Sequence, residues 1–348
     1  MLILRRLGLL LLLITLPGAR AAGQVASAPH ALPQLLVTAA AGLRFTVTPA
    51  SGPAPLAITL DASDNPDAAG LDVTWSFPDG SSLRGLRVNR TLYKPGKYTI
   101  TVDVVYPDGR RARGSIAVNA LDAGPERARV LALPDTGTEV LFDARSSVIY
   151  SPDAVYRWEF GDGTSAEGAT AWHSFKAGES TVRLTAVSGG KTLVQTILVK
   201  TGALNGNPAF EERVLQLTNA ARARGWDCAS KSFAGRVSLP PLSRNLALDR
   251  AARAQSAAMA LAGYFDHVSA VDGSHPAERV SAAGYNWRLT GENIASGQET
   301  PEEVVDQWLR SPGHCRNIMS ADFREIGISF VLGLNGREFW TQAFGTPR

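Results

Sequence analysis

Only two of the 348 residues are cysteines, Cys228 and Cys315, and only three are methionines. Two thiols are too few for a thiolate metal cluster or a disulfide-stapled miniprotein. Charge of either sign is also in short supply: 35 Lys and Arg stand against 32 Asp and Glu, a net +3. The basic residues are scattered among acidic ones, with no stripe or tail, so nothing points to a nucleic-acid partner. Long apolar runs are missing except at the start, where Leu7 to Leu16 is interrupted only by Gly8 and Thr15. That run is too short to span a bilayer comfortably. It follows Arg5 and Arg6, is broken by Pro17-Gly18, and leads to Ala19 and Ala21 at the two positions a signal peptidase reads. Residues 1–22 therefore read as a signal peptide and 23–42 as a linker. No cysteine follows the cleavage site to carry a lipid anchor. The expectation is a secreted, periplasmic or cell-surface protein with no membrane span after signal removal. In such a chain the two cysteines are expected to be bridged.

What the sequence does have is an internal repeat. "APLAITLDAS", "LDVTWSFPDG" and "LYKPGKYTITVDVVYPDG" in residues 43–120 are answered by "TEVLFDARSS", "AVYRWEFGDG" and "HSFKAGESTVRLTAVSGG" in 121–202. Trp75 and Trp158, Asp61 and Asp143, and Gly80 and Gly163 keep the same order. Alternation such as Tyr98, Ile100, Val102, Val104 is the period of a strand with one buried face. Asp-Gly and Pro-Gly pairs punctuate the strands. Each copy therefore reads as a small β-sandwich. The "WEFGDGTSAEG" stretch with its later "H-F" and "AG" resembles the PKD domain, an immunoglobulin-like sandwich of exported bacterial proteins. The first copy departs from that motif at Pro78, where the motif has glycine. The resemblance implies a spacer or adhesive module, with contacts to cell-surface glycan or protein. Trp75 and Trp158 are expected in the cores. Trp172, on the face opposite His173 and Phe175, is the residue to inspect for glycan stacking.

After Gly202 the periodicity changes. Phe210, Val214, Leu217 and Ala221 recur at helical spacing behind Asn207-Pro208. "NLALDRAARAQSAAMALAGYF" reads as a second helix. "TPEEVVDQWLRS" carries a capping signature in Thr300, Pro301 and Glu303. Residues from Arg324 to Gly345 read as two strands joined at Asn335-Gly336. Residues 203–348 thus form an α+β domain large enough for its own core, expected to fold without the sandwiches.

This domain holds His267, His275 and His314, set in "YFDHVS", "DGSHPAER" and "RSPGHCRNIM", with "GYNWRLTGENIASG", "FREIGISF" and "FWTQAFG" around them. Their order over roughly 208–346 resembles the bacterial branch of the CAP superfamily, the cysteine-rich secretory and SCP-like proteins. The resemblance implies an α-β-α sandwich with a central cleft, so the whole chain is two PKD sandwiches followed by a CAP domain. It also implies a cavity lined by His267, His314 and Glu292, with Ser311 where the family's eukaryotic members have a second glutamate. Asp306 and Glu325 are the candidates to replace that carboxylate. His275 is expected to cap a helix or to lie on the surface. Two neutral imidazoles, His267 and His314, are the expected ligands of a weakly held zinc or other divalent ion, with Glu292 orienting a ring or acting as general base. Relatives with the "GHC" variant also have a cysteine at the position of Cys228, which pairs it with Cys315. Neighbours on a helix point about 100° apart, so a His314 facing the cleft turns Cys315 away from it.

The expected function is binding of a small apolar or glycan ligand in the cleft, presented on the sandwiches as spacers. A zinc-dependent hydrolase of peptide or cell-wall material and a purely adhesive surface protein are the alternatives. The missing second carboxylate and the absence of an HExxH motif weigh against hydrolysis.

Overall fold

The computed structural model describes residues 22–27, 35–38, 42–65, 68–233 and 238–348. The expected signal peptide lies outside them apart from Ala22. Among the described residues the first sandwich pairs a five-stranded with a four-stranded sheet, and the second a three-stranded with a four-stranded one. The repeat read from the sequence is a repeat of structure. Trp75 Nε1 donates to Gly85 O at 3.0 Å, and Trp158 Nε1 donates to Gly168 O at 2.8 Å. A buried indole needs a partner for its N–H, and both copies supply the same turn carbonyl. Each ring packs on a phenylalanine of the facing sheet, Phe45 or Phe142.

The segment expected to be a linker carries two strands. Ala22–Ser27 pairs antiparallel with Trp287–Ser296 at the edge of the C-terminal sheet, and Leu35–Thr38 pairs with Arg44–Thr48 of the first sandwich. Both add to sheet edges whose backbone groups would otherwise lack ladder partners.

Among the described residues the C-terminal domain places five helices around a sheet ordered Ala22–Ser27, Trp287–Ser296, Glu338–Pro347, Glu325–Leu332 and Asn205–Gly206. Helix α1 (Pro208–Arg224) starts where the Asn207 side chain accepts from the Ala209 and Phe210 N–H groups, and stops at Gly225 with φ 68°. Helix α2 (Leu246–Ala262) repeats that pattern with Asn245 and Gly263. Helix α3 (Pro276–Ala282) has His275 as its N-cap, as expected, with the Glu278 carboxylate accepting from the His275 N–H at 2.8 Å. Helix α4 (Pro301–Arg310) has the Thr300/Glu303 capping box, and α5 (Pro312–Ile318) follows directly after Ser311. The hairpin from Glu325–Leu332 to Glu338–Pro347 turns at Gly336 with φ 74°. At Gly327 a Cβ would lie 2.0 Å from the Leu248 carbonyl carbon, so only glycine lets α2 rest on the sheet.

Cys228 and Cys315 are bridged, with Cα atoms 5.7 Å apart and a sequence separation of 87. Closing so long a loop in the unfolded chain contributes about 4–5 kcal/mol by loss of entropy. The bridge ties the segment after α1 to α5.

The sandwiches were expected as spacers beside a self-sufficient C-terminal domain. The second sandwich is packed on that domain rather than standing off it as a spacer. Its Leu131, Leu133 and Leu141 share one buried cluster with Leu248, Ala251, Ala252 and Ala254 of α2 and with Val280 of α3. In return Val271, from the loop before α3, packs against the core of the second sandwich. The cause is the outward face of the Leu131–Pro134 strand, which is apolar where a solvated strand would be polar.

Candidate functional site

Glu292 sits in the Trp287–Ser296 strand, where every residue from Thr290 to Ser296 is buried. Only 3% of it is exposed. One carboxylate oxygen meets His267 Nδ1 at 2.7 Å, and the other accepts from Arg279 Nη2 at 2.8 Å. Arg279 projects from α3 with 2% exposure, and it also donates to the His267 carbonyl at 2.9 Å. A buried carboxylate without a counter-charge would neutralise itself. Burial raises the Glu292 carboxyl, but the Arg279 charge and the His267 hydrogen bond outweigh it and hold it below the usual carboxylate range. An ionised carboxylate only accepts, so His267 Nδ1 carries the hydrogen. That leaves His267 Nε2, which is buried and has no hydrogen-bond partner among the described residues.

Beside this pair lies a second polar layer. Asn293 Nδ2 donates to the His314 carbonyl at 3.2 Å and to Gln342 Oε1 at 3.0 Å. Gln342 Nε2 donates to Thr218 Oγ1 of α1 at 2.9 Å. Asn317 Nδ2 reaches both the Glu292 carbonyl, at 3.1 Å, and Asn293 Oδ1, at 2.8 Å. His314 is fully buried on α5. The C-terminal end of α5 is fixed by Arg222 Nη1, which donates to the Ile318 and Ser320 carbonyls at 2.7 and 2.8 Å. So α5 is pinned by the disulfide, by Arg222 and by the amide layer, and its histidine is set beside the strand that carries Glu292.

The family model for cysteine-rich secretory proteins, CAP, matches residues 215–344, and the PKD domain model matches 46–119 and 127–200. The C-terminal region is a CAP domain. It stands behind two PKD domains. The chain is 38% identical over 144 residues to the uncharacterized protein YkwD of Bacillus subtilis, covering 41% of this chain and 50% of that protein. It is 31% identical over 81 residues to the uncharacterized membrane protein YlbC of the same organism, covering 23% of this chain and 22% of that one. The chain thus spans half or less of the length of these curated relatives. Among solved structures it is similar to an extracellular SCP-domain protein from Bacillus anthracis, at 15% identity and TM-score 0.33, covering 74% of this chain and 85% of that one. CAP and PKD domains are typical of extracellular proteins. Among the described residues no helix is long and apolar enough to cross a membrane.

Within the CAP domain, Ser311 is the junction between α4 and α5 and is partly exposed. The two carboxylates considered as replacements are engaged elsewhere. Asp306 pairs with Arg310 on an exposed helix face at 2.7 Å. Glu325 accepts from the Tyr285 hydroxyl at 2.5 Å and from Asn245 Nδ2 at 3.1 Å. Both Glu292 oxygens are taken up, one by His267 and one by Arg279, which places it to orient the His267 ring. Among the described residues no three His, Cys, Asp or Glu side chains are gathered as a metal site. The residue set does not fit a catalytic zinc with three protein ligands. The sequence motifs missed Arg279, Asn293, Asn317, Gln342 and Thr218. Asn293 adjoins Glu292 in "GEN", but nothing local marks Arg279 as its counter-ion.

Proposed function

We propose that the protein is an exported binding protein whose CAP site takes a small ligand bearing a hydroxyl, such as a glycan fragment. The observation that carries this is the orphaned His267 Nε2. With Nδ1–H held by Glu292, Nε2 is an acceptor in the neutral form of the ring, and a buried acceptor without a partner costs about 1–3 kcal/mol until a donor meets it. A sugar hydroxyl supplies such a donor. The same lone pair would accept a divalent ion, with His314 as the second imidazole and water completing the shell, held weakly. Hydrolysis is supported less. A general base works best near the operating pH, and Glu292 is held ionised by Arg279 well away from it. Trp172, 48% exposed on the outer face of the second sandwich, is the residue we propose for contact with cell-surface glycan.

Isothermal titration with soluble cell-wall glycan fragments, and separately with zinc, tests the reading on the parent, His267→Ala and His314→Ala. Binding of glycan by the parent and at least roughly tenfold weaker binding by His267→Ala is expected, the equivalent of one hydrogen bond to a buried acceptor. Equal glycan binding by the parent and His267→Ala overturns it. Zinc binding lost in both variants would make the ion the ligand instead.

A further inference from the structure

The loop that carries His267 is held from both domains. Within the CAP domain, the Ser269 N–H donates to the Ser274 carbonyl at 3.0 Å, and Arg279 Nη1 donates to that same carbonyl at 2.7 Å. Arg279 then spans to the His267 carbonyl and to Glu292. The middle of the loop belongs to the other domain. The Ala132 N–H of the second sandwich donates to Asp272 Oδ2 at 2.7 Å, while Asp272 Oδ1 accepts from the Ser274 N–H at 2.8 Å. The Arg129 guanidinium donates to the carbonyls of Asp272 and Gly273 at 3.0 and 3.2 Å, and pairs with the Glu278 carboxylate at 3.4 Å. Val271, partly buried, packs against the sandwich core.

Three features make this more than a docking contact. Asp272, Ser274, Arg279 and Glu292 are all buried, so the bonds from the Ala132 N–H through them to Glu292 are made away from water, where an unmade bond is most costly. The bonds form a continuous path from Arg129 and Ala132 to the ring of His267. And among the described residues the Leu131–Pro134 strand pairs only with Glu139–Asp143, leaving the Ala132 N–H of its other edge for Asp272. The edge of the sandwich is completed by the CAP loop, and the CAP loop by the edge of the sandwich.

We propose that the second sandwich is a structural part of the CAP site. Arg129 and the Ala132 N–H are positioning groups that fix the 267–275 loop and, through Asp272, Ser274 and Arg279, hold the His267 ring with Nδ1 on Glu292. A sandwich pulled away from α2 releases that ring. The site therefore takes one geometry when the two domains are docked and loses it when they part, whatever ligand it receives.

The test uses the full disulfide-bonded chain labelled with ¹⁵N-histidine, with the His267 signals assigned by His267→Gln. Long-range ¹H–¹⁵N correlation tells which ring nitrogen carries the proton. The parent should show a single form, Nδ1 protonated and Nε2 bare. Asp272→Asn keeps the acceptor for the Ser274 N–H but places an amide against the Ala132 N–H. It and Arg129→Ala should both move the two nitrogens toward the average of the tautomers. Amide exchange at Asp272–Ser274 should rise roughly tenfold, the equivalent of one charge-assisted hydrogen bond. Arg129→Lys should restore much of the parent spectrum, which a general loss of stability would not allow. Should Arg129→Ala fail to fold, Asp272→Asn carries the test. An unchanged His267 spectrum in a folded Asp272→Asn protein overturns the proposal, and so does faster loop exchange that leaves the ring untouched.

Discussion

The two sandwiches share one fold and have opposite relations to their surroundings. In the first, the strand pair Arg44–Thr48 and Leu56–Asp61 sets Thr46 opposite Asp61 and Thr48 opposite Thr59. In the second, the equivalent pair sets Leu131 opposite Asp143 and Leu133 opposite Leu141. Where one copy turns Thr46, Thr48 and Thr59 outward, the other turns Leu131, Leu133 and Leu141. The threonines remain at least partly exposed, and the leucines are buried against α2 and α3. Burying a leucine side chain is worth about 1.5–3 kcal/mol, so three positions are enough to turn a solvated sheet face into an interface. The inward residues that define the sandwich are untouched by this choice. Fold and docking are written on opposite faces of the same strands.

The strongest way to break that comparison is to give the second copy the residues of the first. Leu131→Thr, Leu133→Thr and Leu141→Thr together should cost about 2–4 kcal/mol per position, from lost burial and from hydroxyls left inside the interface. Calorimetry should resolve separate unfolding of the sandwich and the CAP domain, and limited proteolysis should open the segment between Thr201 and Asn207. A single transition at the parent temperature would mean the leucines do not hold the domains together. Acid sharpens the contrast in a second way. Glu292 has a folded pKa below its unfolded value near 4.5, so its contribution is fully present above that pH and is lost as pH falls through the folded value. The docked CAP domain and second sandwich should lose stability together on acidification below about pH 4.5, while the first sandwich, whose lowered Asp79 is exposed and screened, should follow less steeply. Denaturant titrations from pH 7 down to 3 would show it; parallel slopes would remove Glu292 from the account. The smallest effect should be shared. Trp75→Phe and Trp158→Phe each lose one indole hydrogen bond to a turn carbonyl, about 1 kcal/mol apiece, and unequal losses in urea midpoints would show that the two cores are less alike than their registers.

Much of this was readable from the chain. The Trp, Asp and Gly landmarks of the repeat mark the two sandwiches, and Asn207, Asn245 and Thr300 start helices because short polar side chains satisfy free N–H groups. An even pair of cysteines in a chain expected to be exported pointed to a bridge. The motifs brought His267 and Glu292 into one site, and the structure joins them at 2.7 Å. What escaped is what depends on partners distant in sequence. "RVLALPD" looks like any strand, because alternation loses contrast when both faces are apolar, and no local signal says that the outward face meets α2. Arg129 and Asp272, or Arg279 and Glu292, are ordinary charged residues until the fold sets them together. The two N-terminal strands were hidden for the same reason, since an edge strand is defined by its neighbour.

Helix α2 touches the CAP sheet on one side and the Leu131–Pro134 strand on the other, with Ala251, Ala252 and Ala254 between them. Those alanines answer to two domains at once. For the history of such a gene the consequence is uneven exchangeability. The first sandwich meets the second through Tyr150, which packs against the first sandwich's core, so a replacement cassette has to accommodate that ring but none of the α2 surface. The second cannot be transplanted alone, because its outer leucines and Arg129 have to travel with the matching alanines, Val271 and Asp272, and the heritable unit is the pair.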